Sequence, residues 1–321
     1  MEPVSFLRAS RVVIVAGKGG VGKTTVTAAL ATMAAAAGLT TLVVEVEGKG
    51  GLAGLFGRPP LGYADTVLLP AAGTDGEVRG RTLTPDDALL EYLEDHGLRR
   101  LSRRLASSGA MDVVATAVPG IKDILVLGKV KQLERAGDVD LIVLDAPAAG
   151  HAITFLQSAR SLVDAVRVGP ISTQARDVLE LLNDAARCSV LLVTLPEETP
   201  VNELVDTAFL LEDRVGVKLG PVVVNGLYPV VAGLDADPAD AAAEAGASLR
   251  TGEAESLAAA AAFRRRRHEL HESQLERLHE LLPLPQLRLP FLFRADLGPA
   301  DAKVLGDALR ASVEALPASA Q

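Results

Sequence analysis

Residues 16–25 read AGKGGVGKTT, where small residues alternate with two lysines and the run ends in two hydroxyls. Gly17, Gly22, Lys23 and Thr24 fit the pattern G-x-x-x-x-G-K-[ST]. Each residue type has a task in holding a chain of phosphates. The backbone N–H groups of Gly17, Lys18, Gly19, Gly20, Val21 and Gly22 can curl around anionic oxygens, and a helix opening at the end of the turn adds its own unpaired donors. Lys23 supplies a cation for the outer phosphates, and Thr24, followed by Thr25, offers a hydroxyl to Mg²⁺. Lys18 has no place in that account. A second ammonium beside Lys23 would be repelled; pointed outward, it can reach phosphates held by a facing subunit, as an arginine finger does.

The loop needs a strand before it and a helix after it, and the sequence provides both. Apolar runs at 11–17 (RVVIVAG), 41–47, 139–147, 188–196, 220–226 and 287–293 alternate with helical patterns. Continuous apolar runs separated by helices predict an α/β fold with a parallel-rich central sheet flanked by helices on both faces. We expect one domain over residues 1–321, with a helical insertion at about 84–136 and a flexible Ala/acidic segment at about 235–262, where Pro238, Gly246 and Gly252 are breaks. A long helix then begins near AAAFRRRRHELHESQLERLHELL, with Arg265 and Glu269 at i,i+4 spacing. The run Arg264–Arg267 reads either as a solvated helix face or as a contact for an anionic partner. His268 and His271 stand three apart rather than the four of a zinc-binding helix, so no metal is expected there.

GKGGVGKTT resembles the deviant Walker A motif of the dimeric, SIMIBI-type P-loop ATPases related to MinD, ParA and nitrogenase iron protein, whose signature lysine acts across a sandwich dimer. VDLIVLDAPAAGHAITFLQ resembles the second switch of the ArsA family, which includes arsenical pump ATPases, tail-anchored-protein targeting ATPases and bacterial relatives. The resemblance spans most of residues 11–310. It implies ATP and Mg²⁺, with Asp145 holding the metal through water and Gly150 and His151 following it. Independently, a carboxylate ending an apolar strand sits where bound metal can be approached; His151, at a helix start, also has a plain structural reading. EVEGKGGLAGLFG (45–57) lines up with the first switch, where the family has an aspartate followed by Pro-Ala to position the attacking water. Here Glu47 stands at that position, followed by Gly48 and Lys49, so the carboxylate is one methylene longer and the turn looser. VVVNGLYP resembles the strand whose asparagine reads adenine in these ATPases, which implies Asn225 as the base contact, although Asn before Gly is also a turn signal. The same resemblance implies that LPFLF places Pro290 beside the base, and residues 118–133 resemble the family's lid helices.

The same residues exclude several family chemistries. Arsenite capture relies on clustered thiols, and the chain has one cysteine, Cys188, inside an apolar strand. No CxxC pair is available for an intersubunit zinc, and no cysteine pair for an iron–sulfur cluster. The net charge of −9 opposes nucleic-acid binding. The uncharged stretch 24–44 is divided by Gly38 and the pair Thr40–Thr41 into pieces too short to span a bilayer, so no stable membrane insertion is expected. The N-terminus has only a five-residue apolar run, unlike a signal peptide, and a cytoplasmic location is expected.

Three readings result. The first is an ATP-hydrolysing dimer, either a homodimer or a heterodimer with a paralogous subunit, acting on an unknown client. The second, motivated by Glu47-Gly48-Lys49, is a nucleotide-gated interaction protein with little hydrolysis. The third, a ParA/MinD-type positioning ATPase, is opposed by the acidic charge and by a C-terminal tail with few cations and no aromatics.

Overall fold

The computed structural model describes the chain apart from residues 47–49, 96, 98, 109–119, 148, 167–168 and 318–321, and gives only the backbone at 101, 105–108, 149–151 and 170. Glu47, Gly48 and Lys49 of the first-switch-like segment therefore lie outside the described residues.

Eight strands form one sheet: β1 Val12–Gly17, β2 Thr41–Val46, β3 Thr66–Leu69, β4 Val78–Leu83, β5 Leu141–Asp145, β6 Cys188–Thr194, β7 Val222–Leu227 and β8 Gln286–Pro290. Their order is β3-β4-β2-β5-β1-β6-β7-β8, parallel throughout except for β3 against β4. Six strands correspond to the expected apolar runs. The pair β3–β4 was not anticipated, because VRGRTL interleaves arginines with its apolar residues. Arg81 is nonetheless buried. Its Nε donates to the Tyr63 carbonyl at 2.8 Å, its Nη1 lies 3.3 Å from Asp65, and its guanidinium sits 4.9 Å from the Tyr63 ring centroid. A charge so partnered is tolerated at a sheet margin.

After a short first helix, α1 (Pro3–Leu7), helix α2 (Lys23–Ala36) follows β1 and covers one face. Its buried face includes Ala28, Ala29, Ala31, Ala34 and Ala35, which lets the helix Pro299–Glu314 approach closely. A Cβ added at Gly306 of that helix would stand 3.1 Å from the Ala29 carbonyl oxygen, so the seam is built for the absence of side chain. The other face carries Ile121–Ala136, Ala149–Ala165, Pro170–Asn183 and Glu198–Arg214, around a core that includes Phe155, Leu156 and Val178.

Helix Pro85–Asp95 shares a small apolar cluster (Leu89, Leu93, Ile121, Leu125) with Ile121–Ala136. Ion pairs fix the latter on two sides: Lys129 Nζ lies 2.6 Å from Glu91, and Lys131 Nζ 2.7 Å from Asp177 on Pro170–Asn183.

In the segment expected to be flexible, Pro238 and Gly252 stand at helix starts and Gly246 follows a helix end. Asp237 caps Pro238–Glu244 by accepting from the N–H of Ala239 at 2.8 Å, and Gly252, at φ +84°, precedes the 29-residue helix Glu253–Leu281. The Ala and Glu that read as low complexity are strong helix formers and fill the two helices on either side of residues 246–252. Arg265 turns to Asp235 at 3.6 Å and to the Leu234 carbonyl rather than along its own helix.

Candidate functional site

β1, an inner strand, delivers the chain to Gly17 at the sheet's C-terminal edge. A Cβ there would fall 2.4 Å from the Val193 carbonyl oxygen of β6, so only glycine lets the loop leave between two strands. Gly22 has φ +88°, and a Cβ there would meet Asn225 Nδ2 at 2.3 Å. That amide donates to the Val21 carbonyl at 3.0 Å. Asn225, expected at the purine edge, thus braces the phosphate loop through its Nδ2. Lys18, Gly19 and Gly20 are exposed, Val21 is buried, and Thr24 and Thr25 are half-buried at the first turn of α2.

Lys23 is only 7% exposed, and its Nζ donates to the Lys18 carbonyl at 2.9 Å, spanning the loop from within. Thr24 Oγ1 donates to Asp145 Oδ2 at 2.7 Å. Asp145 ends β5 fully buried, in register with Val15 of β1 on one side and Glu45 of β2 on the other. A hydroxyl and a carboxylate meeting at a strand end form a hard oxygen donor set, which suits Mg²⁺.

Lys18 behaves differently from Lys23. Its ammonium leaves the glycine loop and pairs with Glu203 of Glu198–Arg214, 185 residues along the chain; the Lys18 side chain remains 50% exposed. The two lysines of one loop therefore face separate surroundings.

Glu45 was missed by the sequence reading. It is 1% exposed, and its Oε1 accepts the Leu52 N–H at 3.1 Å, tying the start of the short helix Leu52–Leu55 to the sheet beside Asp145. A carboxylate inside an otherwise apolar strand was the available signal. His151 lies in helix Ala149–Ala165, but its side chain is outside the described residues.

At the other end of the site, Pro290 of β8 is in register with Leu227 of β7, two residues beyond Asn225. Tyr228, Phe291 and Phe293 cluster there, with ring centroids 4.7–5.4 Å apart. Arg264 and Arg267 belong to this cluster. The Arg264 guanidinium is 4.5 Å from the Phe293 centroid, while Arg267 lies 5.4 Å from the Tyr228 centroid and 3.0 Å from Glu197. Two arginines of the run therefore form cation–π contacts within the protein.

His271 is buried edge-on to Tyr228, and its Nδ1 accepts the Tyr228 N–H at 3.3 Å. Burial, and after it the Arg267 cation, hold its pKa below the usual 6.5. The unfolded chain therefore takes up a proton near pH 6.5 that the folded chain refuses, and stability falls as the pH drops below that value. Melting temperature should decline from pH 7.5 to 5.5, and His271→Gln should flatten that slope; an unchanged slope in the variant would refute the assignment. Cys188 is buried, and burial pushes its thiol up to about 12, far from reactive.

A parallel α/β sheet whose inner strand feeds a glycine loop and a helix, with a hydroxyl and a carboxylate meeting behind that loop, defines a P-loop NTPase fold. A family model for anion-transporting ATPases matches residues 10–168. The chain is 36% identical over 232 residues to ATPase BagA of Mycobacterium tuberculosis, covering 70% of this chain and 67% of that protein. It is 29% identical over 158 residues to ATPase GET3C of Arabidopsis thaliana, covering 44% and 40%. To ATPase ARSA1 of Chlamydomonas reinhardtii it is 28% identical over 171 residues, covering 45% and 22%. The chain belongs to the ArsA family of ATPases. Among the described residues, no helix is long and apolar enough to cross a membrane.

Proposed function

We propose that the chain is a Mg²⁺-dependent ATP hydrolase that works as a dimeric, nucleotide-driven switch on a protein client. The observation that carries this reading is the division between the two lysines. Lys23 is buried inside the loop, while Lys18 is half exposed and turned away from it. Within one subunit Lys23 and the loop N–H groups hold the β- and γ-phosphates, and Thr24 and Asp145 would hold Mg²⁺, which would supply charge neutralisation for the transferred group. Lys18 of each subunit then adds a cation to the phosphates bound by the other, and Glu47 orients the attacking water. Asn225 and Pro290 flank the adenine. Closing and opening of the pair moves the helices of residues 84–136, the surface we assign to the client. A homodimer and a heterodimer with a paralogous subunit both satisfy this scheme.

The contact with Glu203 adds a testable feature. Lys18 cannot pair with Glu203 in cis and reach a facing nucleotide at once, so the ion pair competes with dimer closure. Glu203→Gln should raise turnover about two- to fivefold at low protein concentration, where dimers are scarce, and have less effect at high concentration. ATPase assays across a protein dilution series check this; a variant that hydrolyses more slowly than the parent throughout would refute the competition.

The second reading, a nucleotide-gated interaction protein with little hydrolysis, is favoured by Glu47-Gly48-Lys49 in place of Asp-Pro-Ala. Single-turnover hydrolysis by the purified chain separates the two: chemistry within minutes supports the enzyme, none within hours the gated binder.

A further inference from the structure

At the opposite end of the sheet from the phosphate loop lies a cavity of about 650 Å³. It opens where the chain enters β1, β6, β7 and β8, beneath the first helix (Pro3–Leu7). Leu7, Leu30, Leu191, Leu219, Pro221 and Leu284 supply most of an apolar lining. Two cations, Arg8 and Lys218, also stand in its wall. Both are exposed, and among the described residues neither has an ion pair or a side-chain hydrogen bond.

Size, lining and charge each narrow the occupant. The volume falls in the range of about 300–1,000 Å³ that encloses small organic ligands. A hydrocarbon chain is favoured against the leucines and prolines of the lining. Arg8 and Lys218, two exposed cations in its wall, favour an anionic head. Val13 and Leu30, which also line the cavity, belong to the strand and helix that bracket the phosphate loop, so an occupant touches both elements carrying the nucleotide site.

We propose that this cavity binds a free acyl carboxylate, a fatty acid of medium chain length. Its hydrocarbon lies against the leucines, and its carboxylate against Arg8 and Lys218. The site is independent of the part assigned to Lys18.

The test is calorimetric titration of the full chain with dodecanoate, kept below its micellar concentration. Saturable binding of one dodecanoate per chain is expected, weakened about tenfold or more in the double variant Arg8→Ala/Lys218→Ala. Dodecanol, which lacks the charge, should bind at least as weakly to the parent as dodecanoate does to that variant. Both replaced residues are exposed, so the variant should fold, and retained nucleotide binding verifies it. Ser189→Phe, which fills the cavity, should abolish the heat. The proposal is overturned by an absence of saturable binding, by equal dodecanoate affinity in parent and double variant, or by co-sedimentation with anionic vesicles without uptake of free dodecanoate.

Discussion

Replacing Lys18 with alanine should leave nucleotide affinity within about threefold of the parent while turnover at saturating ATP falls about a hundredfold or more. Binding is expected to survive because the loop keeps its own cation. Lys23, 7% exposed, donates to the Lys18 carbonyl, a backbone group the substitution does not touch. Turnover should collapse because a cation supplied across an interface acts on charge that develops only during transfer, and such groups contribute about 10³–10⁵ in rate. Lysine, a point charge without the bidentate fork of arginine, belongs at or below the lower end of that range. Equilibrium titration with a fluorescent nucleotide and a steady-state phosphate assay measure the two quantities separately. Mixing Lys18→Ala with Lys23→Ala subunits should restore part of the turnover, since one supplies an intact nucleotide site and the other an intact Lys18. If the single variant turns over like the parent, the trans role is wrong. If it loses affinity and rate together, Lys18 serves its own loop instead.

The second large effect is expected at Asp145. Asparagine preserves the shape and can still accept the Thr24 hydroxyl, whose oxygen stands 2.7 Å from Oδ2, but it removes the negative charge. Groups that orient metal ligands typically contribute about 10- to 100-fold to metal affinity or activity. The Mg²⁺ concentration for half-maximal turnover should therefore rise about 10- to 100-fold in Asp145→Asn, and chelator should abolish turnover in both proteins. A magnesium titration of ATPase activity reads this directly, with thermal melting as the control for folding, because Asp145 is fully buried between β1 and β2. An unchanged magnesium requirement would remove Asp145 from the metal site.

The proposed client surface lies on the helices of residues 84–136. The described helices Pro85–Asp95 and Ile121–Ala136 are tied to each other by Lys129–Glu91, and Ile121–Ala136 meets the body through Lys131–Asp177 and the core residues Ile124, Leu127 and Val130. A pull-down comparing the parent with a Glu47→Gln trap, in ATP and in ADP, is the direct route to that partner.

The sequence by itself determined the features encoded by neighbours along the chain. The glycine loop is readable because its spacing is local, and the six apolar strands because burial on both faces demands continuous apolar runs. The same criterion failed at β4, where Arg79 and Arg81 broke the run, and within β2 it found the strand but not the role of Glu45. Only the tertiary structure decided which side chains meet. Arg264 and Arg267 read as a solvated face until Tyr228, Phe293 and Glu197 arrive from other elements. Lys18 finds Glu203 across 185 residues, and Asn225 reaches the Val21 carbonyl across 204. Residue spacing encodes the period of a helix, strand or loop, whereas such pairings depend on strand order, which no local stretch specifies. That order brings Lys23, Thr24, Asp145 and Asn225 to one sheet edge, and it leaves a cavity with Arg8 and Lys218 at the other.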